Sequence, residues 1–314
     1  MDIVYLDQNK WIDLARVQAG TETSGPMAIL YPELINAVRS KKVLFPLSVS
    51  HILETSKQND PIKRCHLAET QAKLSRGFVY RSRAARLEVE ISMALHRLFD
   101  IKQPDLPPNW AIAPSFLQAF EPMDALIAPA SEVERLARIN AHMDPAKQYV
   151  DYMRNQDDAA RRAANVKIAS DTAELVSRIE ARRTRLVSES VDMRRRAYAV
   201  ELLMENQNTF LQILDRLGLS FEQLKELGGR ACSLIEDVPT LDVESRMAAR
   251  LEAQTGSINT NDVFDIQAFY TAIPYSSLVV AEKASISRAL QAKLHEQYDV
   301  RLSRSLSDLL HVYE

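Results

Sequence analysis

Glycine is scarce in this sequence, which has only 7 glycines among 314 residues, where about 7% would be ordinary. None occurs between Gly77 and Gly218, and no proline occurs between Pro145 and Pro239. A protein built mainly from strands needs turn residues more often than that. The scarcity therefore excludes an all-β fold for the middle of the chain and predicts helices there.

Cysteine and long apolar runs are also in short supply. The two cysteines, Cys65 and Cys232, are too few for a disulfide framework or a four-cysteine zinc site, and they fit a reducing compartment. No uncharged apolar run approaches the roughly 20 residues needed to cross a bilayer. An acid also stands near the N-terminus, where a signal peptide would be basic. We therefore expect a cytoplasmic protein without a membrane segment.

Both ends of the chain alternate short apolar runs with helical patterns. Near the N-terminus, Ile3 to Leu6 and Val43 to Ser48 have the composition of buried strands, and apolar residues at helical spacing follow each run. Near the C-terminus, Ser276 to Lys283 and the sequence YDVRL are further strand candidates. Strands that alternate with helices predict an α/β fold with a wound, mostly parallel sheet.

Proline and small polar residues mark the expected helix ends. Pro32 stands where a helix can begin, and Ser48 or Ser50 can cap the helix after the second strand. Thr260 or Asn261 can cap a helix in the C-terminal segment. The final sequence, SLSDLLHVYE, has the pattern of a closing helix.

The middle of the chain differs in character. We predict that residues 60–255 form an α-helical insert in a discontinuous domain made of residues 1–59 and 256–314. The pattern from Ala159 to Leu217 predicts two long helices packed as an antiparallel hairpin. Its heptad seam comprises Met193, Ala197, Val200, Met204, Gln207, Leu211 and Leu214. The insert could clamp a substrate, dock a regulatory protein or form a homodimer.

Acidic residues occur at the ends of predicted strands and near the beginnings of predicted helices. Asp7 ends the first strand, Glu54 lies in the helix after the second strand, and Glu282 ends the SLVVA strand. Asp262 lies in the first turn of a later helix, and Asp265 one turn further on. These positions meet at one edge of a parallel sheet, where carboxylates repel one another unless cations neutralise them. Oxygen ligands favour Mg²⁺ or Mn²⁺, and a pair of such ions can promote attack of water on a phosphodiester.

The segments VYLDQNKWIDL, PLSVSHILE, NTNDVFDIQAF and SLVVAEK, in this order, resemble the PIN-domain nucleases. The resemblance covers residues 1–59 and 256–314, and it departs from the family pattern in the long insert and in a glutamate as the last acid. It implies that the metal-binding and catalytic acids are Asp7, Glu54, Asp262 and Glu282, with Asp265 as a fifth member. It also implies a supporting role for Asn9, behind the ligands. Lys283 follows Glu282 directly, and this position suggests a contact with a phosphate or a salt bridge to Glu282.

The activity that this resemblance implies is cleavage of RNA that depends on Mg²⁺ or Mn²⁺, as in the toxins of toxin–antitoxin pairs. No Ser/His/Asp or Cys/His arrangement suggests a protein nucleophile, so water is the expected attacking group. Two alternatives stay open. One is a structure-specific DNA nuclease, and the other is an inactive PIN-like scaffold that binds partners through the insert.

Basic residues cluster on the long helices of the insert. Because the formal net charge is −3, binding of nucleic acid must depend on local patches rather than on an overall basic field. The candidate contacts are Arg182, Arg183, Arg185, Arg194, Arg195 and Arg196. The competing interpretation is a solvated face on which these arginines pair with glutamates one turn away.

Overall fold

A computed structural model describes residues 1–120, 143–228 and 234–313; Cys232 lies outside the described residues. The described helices are α1 (Gln8–Gln18), α2 (Pro26–Arg39), α3 (Val49–Lys57), α4 (Pro61–Ser75), α5 (Arg83–Leu98), α6 (Pro145–Arg154), α7 (Asp158–Arg185), α8 (Val191–Glu205), α9 (Gln207–Arg216), α10 (Phe221–Glu226), α11 (Pro239–Glu252), α12 (Thr260–Ala272), α13 (Lys283–Gln291) and α14 (Leu294–Gln297). The described strands are β1 (Asp2–Leu6), β2 (Val43–Leu44), β3 (Val79–Tyr80), β4 (Ile112–Ala113), β5 (Leu278–Val280) and β6 (Arg301–Ser303).

A small parallel sheet joins the two ends of the chain, as the sequence predicts. Its strand order is β2-β1-β5-β6, and β1 lies between β2 and β5, with Tyr5 opposite Val279. The predicted strand from Val43 to Ser48 is shortened to the two residues of β2, because Pro46 has no N–H to donate to the ladder. A separate antiparallel pair is formed by β3 and β4.

Helices cover both faces of the parallel sheet. Side chains alternate along β1, so that Val4 and Leu6 pack in one hydrophobic core and Ile3 and Tyr5 in the other. The first core contains side chains of α1, α2, α4 and α6, and the second contains side chains of α11, α12 and α13. The fold is therefore α/β with a helical layer on each side of the sheet.

Side-chain caps begin the three helices that carry most of the predicted acids. Asp7 caps α1, and its Oδ1 accepts a hydrogen bond from the Gln8 N–H at 2.8 Å. Ser48, not Ser50, caps α3, where the Nδ1 atom of the buried His51 side chain completes a capping box. Asn259, not Thr260 or Asn261, caps α12. Each cap satisfies N–H groups that would otherwise lack a partner.

Two predicted helix boundaries are wrong. Pro32 does not begin a helix, because α2 begins at Pro26 and contains Pro32 in its interior. The predicted closing helix is only a short 3₁₀ turn, Leu306–Leu309. The buried side chains of Leu306 and Leu309 are three residues apart, a spacing that a 3₁₀ turn places on one side.

The long helical segment is present, but its predicted heptad seam is wrong. Helix α7 runs unbroken, whereas its partner is divided at Asn206 into α8 and α9. Leu202 and Phe210 turn inward, since the apolar face of α8 packs on α11 and that of α9 on α5. The exposed seam members are Met193, Val200, Met204, Gln207 and Leu211.

Residues 60–255 contribute to the cores on both faces of the sheet. Leu67 and Tyr149 pack with Leu6 on one face, and Val243 and Met247 pack with the other face. A third core, remote from the sheet, consists of side chains from α5, α8, α9, α10 and α11 together with the segment before α11. The helical segment is therefore packed against the sheet and also has a core of its own.

None of the helices in the described residues combines the length and the hydropathy that crossing a bilayer requires.

Candidate metal and nuclease site

Four of the five predicted acids line one cleft at the carboxyl edge of the sheet. The cleft has a volume of about 1070 Å³. Asp7 follows β1 directly, Glu282 lies just beyond β5, Glu54 lies on α3, and Asp265 lies on α12. The topology thus gathers acids from both ends of the chain, as expected for the carboxyl edge of parallel strands.

The backbone around Asp7 fixes where its carboxylate stands. The Asp7 N–H donates to the Val280 carbonyl oxygen at 2.8 Å, which continues the β1–β5 pairing to the edge of the sheet. The cap on Gln8 uses Asp7 Oδ1, and the Asp7 side chain lines the cleft. Burial raises the pKa of Asp7 to about 6, and repulsion from Asp265 and Glu282 adds to that effect.

Glu54 is the most perturbed glutamate of the cleft. Burial raises its pKa to about 7, with a further contribution from the charge of Asp7. Lys57, one turn away on α3, opposes the shift. Within the described part of the chain, neither Glu54 nor Asp7 forms an ion pair with a lysine or arginine. Their charges are therefore poorly compensated by the protein itself.

Asp265 lies in the cleft but has partners behind it. The Ser285 hydroxyl donates to Asp265 Oδ2, and Arg288 Nη2 lies 3.3 Å from the same oxygen. Arg288 is 2% exposed, so its charge acts within the protein rather than in solvent. Burial nevertheless raises the pKa of Asp265, although Ser285 and Arg288 oppose that shift.

Asp262 is not among the residues that line the cleft. Its Oδ2 accepts a hydrogen bond from the Asn259 N–H at 3.1 Å, and its Oδ1 lies 3.1 Å from Arg288 Nη2. The side chain completes the capping box of α12. Both carboxylate oxygens therefore have partners in the protein, and the cleft position on this helix belongs to Asp265.

The two supporting residues named from the sequence lie in different settings. The Asn9 side-chain amide donates a hydrogen bond to Glu282 Oε1, which links α1 to the end of β5. Lys283 is exposed at the start of α13 and is not among the residues lining the cleft. Asn9 thus orients one of the acids, whereas Lys283 stands outside the cleft.

Besides the acids, the cleft carries basic, amide and aromatic side chains that the sequence interpretation missed. The basic side chains are Arg16, Lys57, Lys63 and His66. The Lys57 ammonium lies 4.3 Å from the centre of the Phe264 ring, and Phe264 also lines the cleft. One cleft therefore combines an acidic end with groups that can contact phosphates or stack on a base.

The side chains of all six candidate arginines of the insert are bound by carboxylates or carbonyl oxygens of the protein itself. Arg182 is buried against Glu252 and Glu201, and the guanidinium of Arg194 donates to three backbone carbonyl oxygens. Ion pairs to carboxylates also engage Arg183, Arg185, Arg195 and Arg196. The pairing with an acid one turn away that the competing interpretation predicts is present for Arg183, Arg195 and Arg196. Arg182 and Arg194 instead are buried rather than solvated, and their contacts connect α7, α8 and α11.

A second cavity, of about 220 Å³, lies on the other side of α12. Its walls include Arg83, Arg178 and Tyr198. Arg83 Nη2 lies 2.9 Å from Glu244 Oε2, and Arg178 is paired with Glu205. Tyr198 donates to Glu244 at 3.0 Å. These three side chains are therefore engaged by Glu205 and Glu244, which line the same cavity.

The donor groups of the cleft fit a hard divalent cation in type, because they are carboxylate oxygens and, among the described residues, Asp265 alone of the four acids has an arginine partner. Among the residues that the structure describes, no group of three or more His, Cys, Asp or Glu is arranged to hold a metal ion as it stands. The cleft acids would therefore have to move for one cation to be bound by three or more of them.

Comparison with known proteins yields no relative: no family model matches the chain, and neither the curated proteins nor the solved structures contain a match.

Proposed function

We propose that this protein is a PIN-like endoribonuclease that depends on Mg²⁺ or Mn²⁺. The observation that carries the proposal is the convergence of Asp7, Glu54, Asp265 and Glu282 in one cleft. Asp7 and Glu54 have no ion-pair partner among the described residues, and acidic neighbours in the same cleft repel them unless something offsets that repulsion. Divalent cations do so with the oxygen ligands that these side chains supply.

In this proposal, Asp7 and Glu54 are the principal metal ligands, and Asp265 and Glu282 complete the set. A bound Mg²⁺ or Mn²⁺ lowers the pKa of a water and stabilises the leaving oxygen of a phosphodiester. Asn9 orients Glu282, and Arg288 restrains Asp265. Asp262, assigned to the metal on the resemblance, instead holds the first turn of α12.

The rest of the cleft supports a nucleic-acid substrate. Lys57, Lys63 and Arg16 lie along the same cleft as the acids, so that a bound strand would meet positive charge beside the reaction centre. Phe264 offers an aromatic surface at this position. RNA is preferred to DNA on the resemblance to PIN-domain nucleases alone, because the described groups would contact phosphates and bases, which both polymers share.

The decisive experiment compares Asp7→Asn with Asp13→Asn. Asp13 is also on α1, but its carboxylate is exposed and pairs with Arg16. Cleavage of labelled single-stranded RNA and DNA is measured with Mg²⁺, with Mn²⁺ and with EDTA. Asp7→Asn should lower the rate of cleavage by more than the roughly 100-fold that removal of an outer-shell partner of a metal ligand can cost. Asp13→Asn should cleave at a rate close to that of wild type.

The outcomes of this assay separate the candidates. Cleavage of DNA alone would replace the ribonuclease with the DNA nuclease. Equal activity of wild type and Asp7→Asn, or activity that EDTA does not abolish, would reject the metal-dependent mechanism.

A partner-binding scaffold is the second candidate, favoured by the exposed apolar side chains along α8 and α9. Val200 is 57% exposed and Met204 is 65% exposed, which is unusual for neighbouring apolar residues unless they are covered by a partner. A homodimer and a complex with a regulatory protein would both cover them. Light scattering during size-exclusion chromatography of wild type and of Val200→Glu would detect the homodimer.

A further inference from the structure

A closed ring of hydrogen bonds lies behind the acidic cleft. The Gln8 side-chain amide donates to Thr55 Oγ1 at 3.3 Å, and the Thr55 hydroxyl donates to Gln71 Oε1 at 3.0 Å. The Gln71 amide completes the ring by donating to Gln8 Oε1 at 3.5 Å. The Tyr149 hydroxyl adds a fourth hydrogen bond, to Gln71 Oε1 at 2.7 Å.

Every member of the ring is buried. Thr55, Gln71 and Tyr149 have no exposed surface, and Gln8 is 7% exposed. In the ring each side chain donates one hydrogen bond and accepts one, and burial makes an unpartnered group costly. Loss of one link therefore leaves a buried polar group without its partner, and this cost restrains the three backbone segments that carry the ring.

Two members of the ring are the chain neighbours of the principal acids. Gln8 follows Asp7 at the end of β1, and Thr55 follows Glu54 on α3. The hydrogen bond between Gln8 and Thr55 is thus a direct link, across 47 positions of sequence, between the segments that carry the two carboxylates. Gln71 on α4 supports that link because it bonds both residues, and Tyr149 on α6 bonds Gln71.

We propose that this ring positions Asp7 and Glu54 for a shared divalent cation, and that Thr55 is its central positioning residue. The inference rests on the proposed metal-dependent function. The two carboxylates lie in one cleft and carry like charges that repel each other, so a restraint is needed to keep them close. The ring supplies that restraint through neutral groups, which leaves the negative charge of the cleft available to a cation.

The ring also gives residues 60–255 a role at the site. Gln71 and Tyr149 belong to this segment, and their helices α4 and α6 pack against each other. The Met153 carbonyl of α6 accepts a hydrogen bond from the buried Arg64 of α4 at 3.0 Å. The helical segment thus forms the support on which the metal-binding carboxylates are spaced.

The test is Mn²⁺ binding to the full chain by isothermal titration calorimetry, with thermal unfolding of every variant. Thr55→Val keeps the shape of the side chain and removes the hydroxyl, whereas Thr55→Ser keeps the hydroxyl. Gln71→Met breaks the ring from α4 and serves if Thr55→Val does not fold. Thr172→Val is the matched control, because the buried Thr172 hydroxyl donates to the Ile168 carbonyl at 2.7 Å on α7.

We expect Thr55→Val and Gln71→Met to bind Mn²⁺ about tenfold more weakly than wild type, the lower end of the loss seen for supporting partners of metal ligands. Thr55→Ser should restore the affinity. Thr172→Val should lower the unfolding temperature without changing Mn²⁺ affinity, which separates positioning from a general loss of stability.

Two results overturn the inference in distinguishable ways. Wild-type affinity in Thr55→Val or Gln71→Met, while wild type binds Mn²⁺, rejects the positioning role alone. Failure of the wild-type chain to bind Mn²⁺ rejects the metal site and the role of the ring together.

Discussion

Carboxylates whose pKa is raised by burial occur in this protein in two settings. In the helical segment, Glu252 Oε1 lies 2.6 Å from Arg182 Nε, and Asp242 Oδ1 lies 2.7 Å from Arg246 Nε. In the cleft, Asp7 and Glu54 have acidic neighbours instead. Burial raises the pKa of all four groups, but arginines oppose the shift in the helical segment, whereas other carboxylates add to it in the cleft.

The difference indicates what each set of acids is for. A buried acid with an arginine partner holds helices together, because removal of either partner leaves an uncompensated charge. A group of acids without such partners makes the folded state less stable, and it persists where a ligand compensates it. The comparison predicts opposite effects on stability when an acid is neutralised in the two settings.

The largest effect on stability is expected from Glu252→Gln. Neutralising Glu252 leaves the buried guanidinium of Arg182 with only the partly exposed Glu201 as an ionic partner. The free energy of unfolding should fall by about 3 kcal/mol, as measured by urea denaturation. Glu236→Gln is the control, since Glu236 is an exposed partner of Arg195. This substitution should lower the free energy of unfolding by less than about 1 kcal/mol. Equal losses in the two variants would contradict the assignment of Glu252 as a structural acid.

The opposite sign is expected from Glu54→Gln. The folded-state pKa of Glu54 is raised from 4.5 to about 7, so the folded state holds its proton more tightly than the unfolded chain does. Its contribution to stability is therefore full below pH 4.5 and is lost as the pH rises through 7.

In metal-free buffer at pH 7.5, Glu54→Gln should raise the free energy of unfolding by about 2 kcal/mol, and at pH 4.5 by less than about 0.5 kcal/mol. Urea denaturation at both values of pH measures the difference. A variant that is less stable than wild type at pH 7.5 would show that Glu54 has a stabilising partner.

Local sequence patterns were sufficient to predict the sheet edge and its acids. A short apolar run that ends in an acid identifies β1 and Asp7. The run is visible in the sequence because the burial of a strand and the cap of the next helix both depend on residues that are neighbours in the chain. The same reasoning located Glu54 and Glu282. Parallel topology then placed them at one edge, which the sheet order confirms.

The partners of these acids could not be predicted in this way. Arg288 is 26 positions after Asp262 in the chain, and only the packing of α13 on α12 decides that it pairs with Asp262 and Asp265. The ring of Gln8, Thr55 and Gln71 likewise depends on three separate helices. The heptad seam was wrong for a related reason, since α11 and α5 supply a better apolar surface for α8 and α9 than α7 does.

The smallest expected effect is the stabilisation of the folded protein by Mn²⁺, which should depend on the acids of the cleft and not on those of the helical segment. At pH 7.5, Mn²⁺ at tenfold its dissociation constant should stabilise wild type by about 1.4 kcal/mol. At pH 5.5 the gain should shrink, because the pKa values of Asp7 and Glu54, about 6 and about 7, keep both groups largely protonated and protons compete with the cation.

Thermal unfolding of Glu54→Gln and Glu252→Gln with and without Mn²⁺ makes the comparison: the first should lose the gain and the second should retain it. A gain that is independent of pH, or equal in the two variants, would place cation binding outside the cleft.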